Sequence, residues 1–200
     1  MAVRKIITLP NPHLREKSKP VVLPEVAGQW DKKITEIITD LLDTVQATKD
    51  PEGVGLSAVQ IDKLVRIFVV KIATPLGSQE RGGKNNFEVF INPEITNFSK
   101  KMLSCSTDKK LKQIMEGCLS IPDLYGFVNR PIKIKISWID IKGVKKSATF
   151  EGKQAIYLQH EHDHINGVLF IDHILHQGQK LYKLEKNEKG KEELVEVEIG

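Results

Sequence analysis

Cysteine, long apolar runs and charge of one sign are all scarce in this 200-residue chain, and each scarcity removes a class of explanation. Two cysteines, Cys105 and Cys118, exclude a disulfide framework and leave two thiols free for other chemistry. No apolar run approaches the roughly 20 residues that span a bilayer, and the N-terminal stretch is broken at Pro10 before it reaches signal-peptide length. The expectation is an intracellular, cytoplasmic protein that binds no membrane. Thirty basic residues against 26 acidic ones give a formal charge of +4, too mild to argue for DNA. In the densest basic stretch, Lys100 to Lys112, five lysines face Asp108 alone, but no aromatic residue is interleaved, so it reads as a solvated loop. From about residue 178 the chain becomes a charged tail, with five lysines against six glutamates.

What is present is a core. With 40% hydrophobic residues, the length favours one domain over residues 1–200. Pro10, Pro12, Pro20 and Pro24 predict an irregular lead-in. A helix is expected from Val26 to Thr48, where Trp30, Ile34, Ile37, Ile38, Leu41, Leu42 and Val45 recur at three- and four-residue steps, and Asp50-Pro51 ends it. Val65 to Val70 reads as a central strand, Thr74 to Asn86 as a surface loop, and Phe87 to Pro93 as another strand. Ile132 to Asp140 alternates at period two and turns back through Lys142-Gly143 as a hairpin ending near Phe150. A helix follows from about Lys153 to Asn166, with Gly167 as its terminator. Strands in the middle and helices at either side make an α+β chain without internal repeats.

The last of these helices carries Gln159-His160-Glu161-His162-Asp163-His164. Four helical residues turn about 400°, so His160 and His164 project from one face and can grip a single metal ion. Glu161 stands beside that face, placed to take a proton from an attacking water. His162 points away and reads as a surface or outer group, while Asp163 is adjacent to the second ligand and suited to orienting an imidazole. A hydrolytic site needs a third protein ligand. An extended zinc-protease pattern matches at Gly167 but meets Phe170 where it needs histidine. Glu185 lies at a suitable distance downstream, in a charged segment. Cys118 sits among apolar and turn-forming neighbours, after Gly117.

Taken with Gly53-Val54-Gly55-Leu56-Ser57-Ala58-Val59-Gln60 and Glu116-Gly117-Cys118-Leu119-Ser120, the histidine run resembles the three motifs of the peptide deformylases, in the family's order and at broadly similar spacing. The likeness extends from Val3 to about Asp172. It implies antiparallel sheets packed around a central helix that carries the motif, plus a long N-terminal helix. It implies one ferrous ion per chain on Cys118, His160 and His164, with zinc, nickel or cobalt able to replace it. Glu161 is then the general base, and the Gln60 amide and Leu119 backbone N–H donate to the oxyanion. Val54, Gly55, Ile156 and Tyr157 would line the methionine pocket and peptide groove together with Glu116, which would also pair with Arg130. The implied substrates are N-formyl-methionyl ends of nascent proteins, deformylated with release of formate, and the ribosome is an implied transient partner.

The chain departs from its relatives at Tyr125, where an arginine usually touches the substrate backbone, at Met115, where an aromatic is common, and in a longer segment before Glu116. Three other readings use the same residues. A metalloprotease of the His-Glu-x-x-His type needs no Cys118. A closed structural zinc site needs a fourth protein ligand. Gly53-x-Gly55-x-x-Ala58 fits a dinucleotide fingerprint, but the strand that should precede it is absent from the sequence pattern.

Overall fold

A computed structural model of the chain describes residues 2–72, 86–186 and 190–197, so the expected loop lies outside the described residues except for Asn86. The first helix, α1 (Lys32–Ala47), begins six residues later than the apolar spacing predicted, because Asp31 caps it by accepting from the Ile34 N–H at 2.8 Å. Val26 belongs instead to an exposed turn. The buried stripe is the predicted one, with Ile34, Ile37, Ile38, Leu41 and Val45 all facing the core. After it come β1 (Gly55–Ser57), β2 (Ile67–Lys71) and β3 (Phe87–Phe98). A four-residue helix α2 (Lys109–Lys112) ends the basic stretch expected as a loop, before β4 (Glu116–Cys118) and β5 (Ile121–Gly126). The predicted hairpin is β6 (Lys133–Ile139) with β7 (Lys145–Glu151), and the motif helix is α3 (Lys153–His164). Gly167 follows with φ 75°, as expected of a terminator. Then come α4 (Phe170–His176), β8 (Leu181–Lys186) and β9 (Glu192–Val197).

The strands form two antiparallel sheets, one in the order β1-β2-β3-β6-β7 and one in the order β4-β5-β8-β9. β2 is therefore interior but second from the edge, and β3 is the middle strand. β3 is also longer than predicted. It passes Pro93, which lacks an N–H, through a register shift at Asn92, whose φ is 48° and whose side chain bridges to the Val21 backbone.

The few aromatic residues are concentrated. Phe68 and Phe90 stack at 5.0 Å and Trp138 lies 4.8 Å from Phe90, beneath Ala155, Leu158 and Ile165 of the motif-helix region. A second cluster joins α1 to the faces of β1 and β2. The four-stranded sheet has its own smaller core of Leu14, Ile121, Val128, Phe170, Ile174 and Leu181. Helix α3 meets both sheets, which is why Glu161 and His164 are buried in a segment that reads as polar. The charged tail supplies β8 and β9. No helix among the described residues is long and apolar enough to cross a membrane.

Candidate active site

Two elements far apart in sequence converge on one point. His160 and His164 rise from the same face of α3, with ring centroids 5.0 Å apart. Cys118 ends β4, where the ladder to β5 shifts register between Gly117 and Cys118 and re-aims the side chain toward the helix. Its Sγ lies 3.1 Å from His164 Nε2, and ligand atoms of Cys118, His160 and His164 all lie within 4.8 Å of one another. His160 Nδ1 faces Glu116 Oε2 at 2.9 Å, which leaves its other ring nitrogen for the sulfur side. Burial pushes the Cys118 thiol up, but the adjoining histidines outweigh it and bring it down to about 5. A thiolate character and two imidazoles in one spot are a donor set that suits a divalent transition ion.

Behind the histidines stands a buried charge network. Arg130 donates from Nε and Nη2 to the two oxygens of Glu116 and from Nη1 to Asp163 Oδ2 at 2.8 Å. Burial would raise Glu116, yet Arg130 and His160 hold it down at about 2. Asp163 does orient an imidazole, but it is that of His173, at 2.8 Å, while Glu116 serves His160. His162 turns away from the sulfur, its Nδ1 3.3 Å from the Asn166 amide, and burial lowers it to about 4.

Beside the thiol and rings, Glu161 is buried and receives a 2.7 Å hydrogen bond from Ser57 Oγ. Burial raises its pKa, against the opposing pull of His164, His160 and that hydrogen bond. A base held above its ordinary range is better matched to proton transfer near neutral pH. Gly55 makes the approach possible, since a Cβ there would sit 2.6 Å from Glu161 Oε1. Gln60 is oriented by its neighbours. Its Oε1 accepts from the Ser57 N–H at 2.9 Å, so the amide nitrogen faces Ser120 Oγ at 3.1 Å and Cys118 Sγ at 3.6 Å. Backbone bonds from Ile7 to the Gln60 carbonyl and from Leu9 to the Ser120 carbonyl strap these two segments together.

A family model described as polypeptide deformylase matches residues 3–180. The chain belongs to that family. A peptide deformylase of Brucella suis biovar 1 is 38% identical over 174 residues, covering 87% of this chain and 86% of its own. One from Novosphingobium aromaticivorans is 36% identical over 201 residues, covering 93% and 97%. Among solved structures, a peptide deformylase from Legionella pneumophila matches with a TM-score of 0.65 at 35% identity, covering 86% of each chain. A Met-Ala-Ser-bound class I type b peptide deformylase from Acinetobacter baumannii matches with a TM-score of 0.69 at 28% identity, covering 86% of this chain and 99% of that one. Peptide deformylases are metal-dependent hydrolases that remove the formyl group from the N-terminal methionine of newly synthesised proteins, and this chain is such an enzyme. Neither relatives nor fold favour a protease of internal bonds or a closed structural zinc site.

The deformylase site opens into a cleft of about 460 Å³, lined by Val54, Gly55, Glu116, Leu119, Ile156 and Tyr157 among others. Of these, Ile156 is fully buried and Tyr157 half-buried, and the Glu116 carboxylate is spent on Arg130 and His160. β1 and β4, the edge strands of their sheets, both contribute to the lining. Two other positions weighed from the sequence offer no ligand atom to the site. Glu185 is exposed on β8 and pairs with Lys183, and the Phe170 ring stacks on His160 at 6.1 Å. Sequence reasoning missed Ser57, Ser120 and His173 as supports. The two serines lay inside the quoted motifs, but nothing in the sequence linked His173 to Asp163.

Proposed function

We propose that this deformylase uses ferrous iron held by Cys118, His160 and His164, that Glu161 carries the proton, and that the Gln60 amide and Leu119 backbone N–H stabilise the oxyanion. The observation that carries the reading is the convergence of one sulfur and two ring nitrogens within 4.8 Å, beside a buried carboxylate whose pKa is raised. A thiolate with two imidazoles suits iron and zinc alike, and iron is the ion that the motif resemblance implies. When bound, the ion supplies Lewis acidity that makes water a competent nucleophile near neutral pH.

The remaining chemistry belongs to side chains. Glu161 accepts a proton from the attacking water and returns it to the methionine nitrogen as the C–N bond breaks, giving formate and a free amine. Ser57 holds that carboxylate in place. The Gln60 amide donates to the formyl oxygen as its negative charge grows. Val54, Ile156 and Tyr157 receive the methionine side chain. The peptide in the Acinetobacter deformylase, Met-Ala-Ser, has the unformylated N-terminus of a deformylase product, which supports the same use of the cleft here. The enzyme acts as one catalytic unit in the cytoplasm, on chains emerging from the ribosome.

The test is anaerobic reconstitution of metal-stripped protein with iron or zinc, followed by formate release from formyl-Met-Ala-Ser and metal analysis. Iron-loaded protein should turn over and lose activity in air, and turnover by the zinc form with none from the iron form would remove iron from the proposal. Glu161→Gln should lower kcat by about a thousandfold while metal content stays at one per chain.

A further inference from the structure

Helix α4 reaches His160 by two routes. Phe170 and His173 are three residues apart and so share one face of it, and Asp172 fixes its start by accepting from the Leu169 N–H at 2.8 Å and pairing with Arg15. From that face the Phe170 ring stacks on His160 at 6.1 Å. His173 takes the longer way. Its Nε2 donates to Asp163 Oδ2 at 2.8 Å, and the same oxygen accepts from Arg130 Nη1 at 2.8 Å. Arg130 holds Glu116 through Nε and Nη2, and Glu116 Oε2 accepts from His160 Nδ1 at 2.9 Å. A continuous hydrogen-bonded chain thus runs from a side chain that is 32% exposed to a ring nitrogen in the centre of the site.

The two histidines are not supported alike. His164 Nδ1 is buried and has no hydrogen-bond partner among the described residues, so the outer hold on the imidazole pair falls to His160. A guanidinium fixed only at its Glu116 end is free to pivot about that end, and Asp163 anchors the other. An isolated ion pair near the surface is worth little, but this one shares its oxygen with a buried cation. Resting on the ligand set proposed above, we infer that His173 is a positioning residue, which through Asp163, Arg130 and Glu116 fixes the ring of His160 and slows loss of the bound metal. Partners that contact a ligand directly change metal affinity by about 10- to 100-fold, and His173 acts from three side chains away, so its share is set at about five- to tenfold.

The experiment loads the whole chain with cobalt, measures metal per chain, and follows both the loss of cobalt to excess EDTA and the cobalt–thiolate absorption band. His173→Leu, which fills much of the space but offers no donor, should lose cobalt about five to ten times faster than the unaltered protein and shift the band. His173→Gln, whose amide can still donate to Asp163, should stay within about twofold of it. Glu116→Gln cuts the chain nearer the site, so adding His173→Leu to it should change the rate by less than about twofold. His176→Leu, at an exposed position three residues on, should lose cobalt as the unaltered protein does. Should His173→Leu fail to fold, His173→Ala takes its place with the same expectation. Unchanged loss in the variant lacking the donor, no rescue by glutamine, or an effect that survives in full beside Glu116→Gln would overturn the inference and leave the ligand set standing. Unaltered protein that takes up no cobalt would overturn both.

Discussion

The two sheets that meet at α3 are built to different depths. In the five-stranded sheet Phe68, Val70, Phe90, Ile134 and Ile136 are wholly buried, and the groups it positions, Ser57 and Gln60, are at most 2% exposed. The four-stranded sheet rests on a smaller core, and its outermost strand leaves Leu194 and Val195 more than 40% exposed. The deep sheet holds the serine that donates to Glu161 and the Gln60 amide for which the oxyanion role is proposed. The shallow sheet supplies the sulfur, from its edge strand β4. Rigidity is concentrated where proton transfer demands it.

That comparison can be broken at several points. Phe90→Ala removes the aromatic ring between Phe68 and Trp138, and thermal or denaturant unfolding should register a loss of about 4 kcal/mol. A loss below about 1 kcal/mol would mean that the deep sheet is not the stable part. Arg130→Leu strands Glu116 and Asp163 without their buried cation, for an expected loss of about 3 to 4 kcal/mol, together with weaker metal retention through His160. If metal content were unaffected, the network would be structural only. Gln60→Leu should leave metal content intact and reduce kcat/KM about a hundredfold, equivalent to roughly 3 kcal/mol of transition-state stabilisation. At the shallow end, Leu194→Ala should shift stability by no more than about 0.5 kcal/mol and leave kcat unchanged. A larger effect on kcat would show that the outer strands support the catalytic centre.

Much of this was legible along the chain because it depended on local periodicity. The stripe of α1, the alternation Ile134-Ile136-Trp138 in β6 and the two histidines one turn apart follow from spacings within one element. Boundaries were less legible where a single polar side chain decided them, as when Asp31 rather than the apolar pattern set the start of α1. The strands β4, β5, β8 and β9 were not predicted. They are short, carry proline or many charges, and pair with segments up to several dozen residues away, so nothing in their own composition marks them as a sheet.

The sequence by itself determined that two imidazoles and a carboxylate share a helix, because helical geometry acts over four residues and needs no partner. Only the tertiary structure decided which third group joins them, which carboxylate steadies His160, and why residue 55 carries no side chain. Those outcomes depend on contacts between residues 44 to 106 positions apart, where burial and charge pairing choose among candidates that look equivalent along the chain.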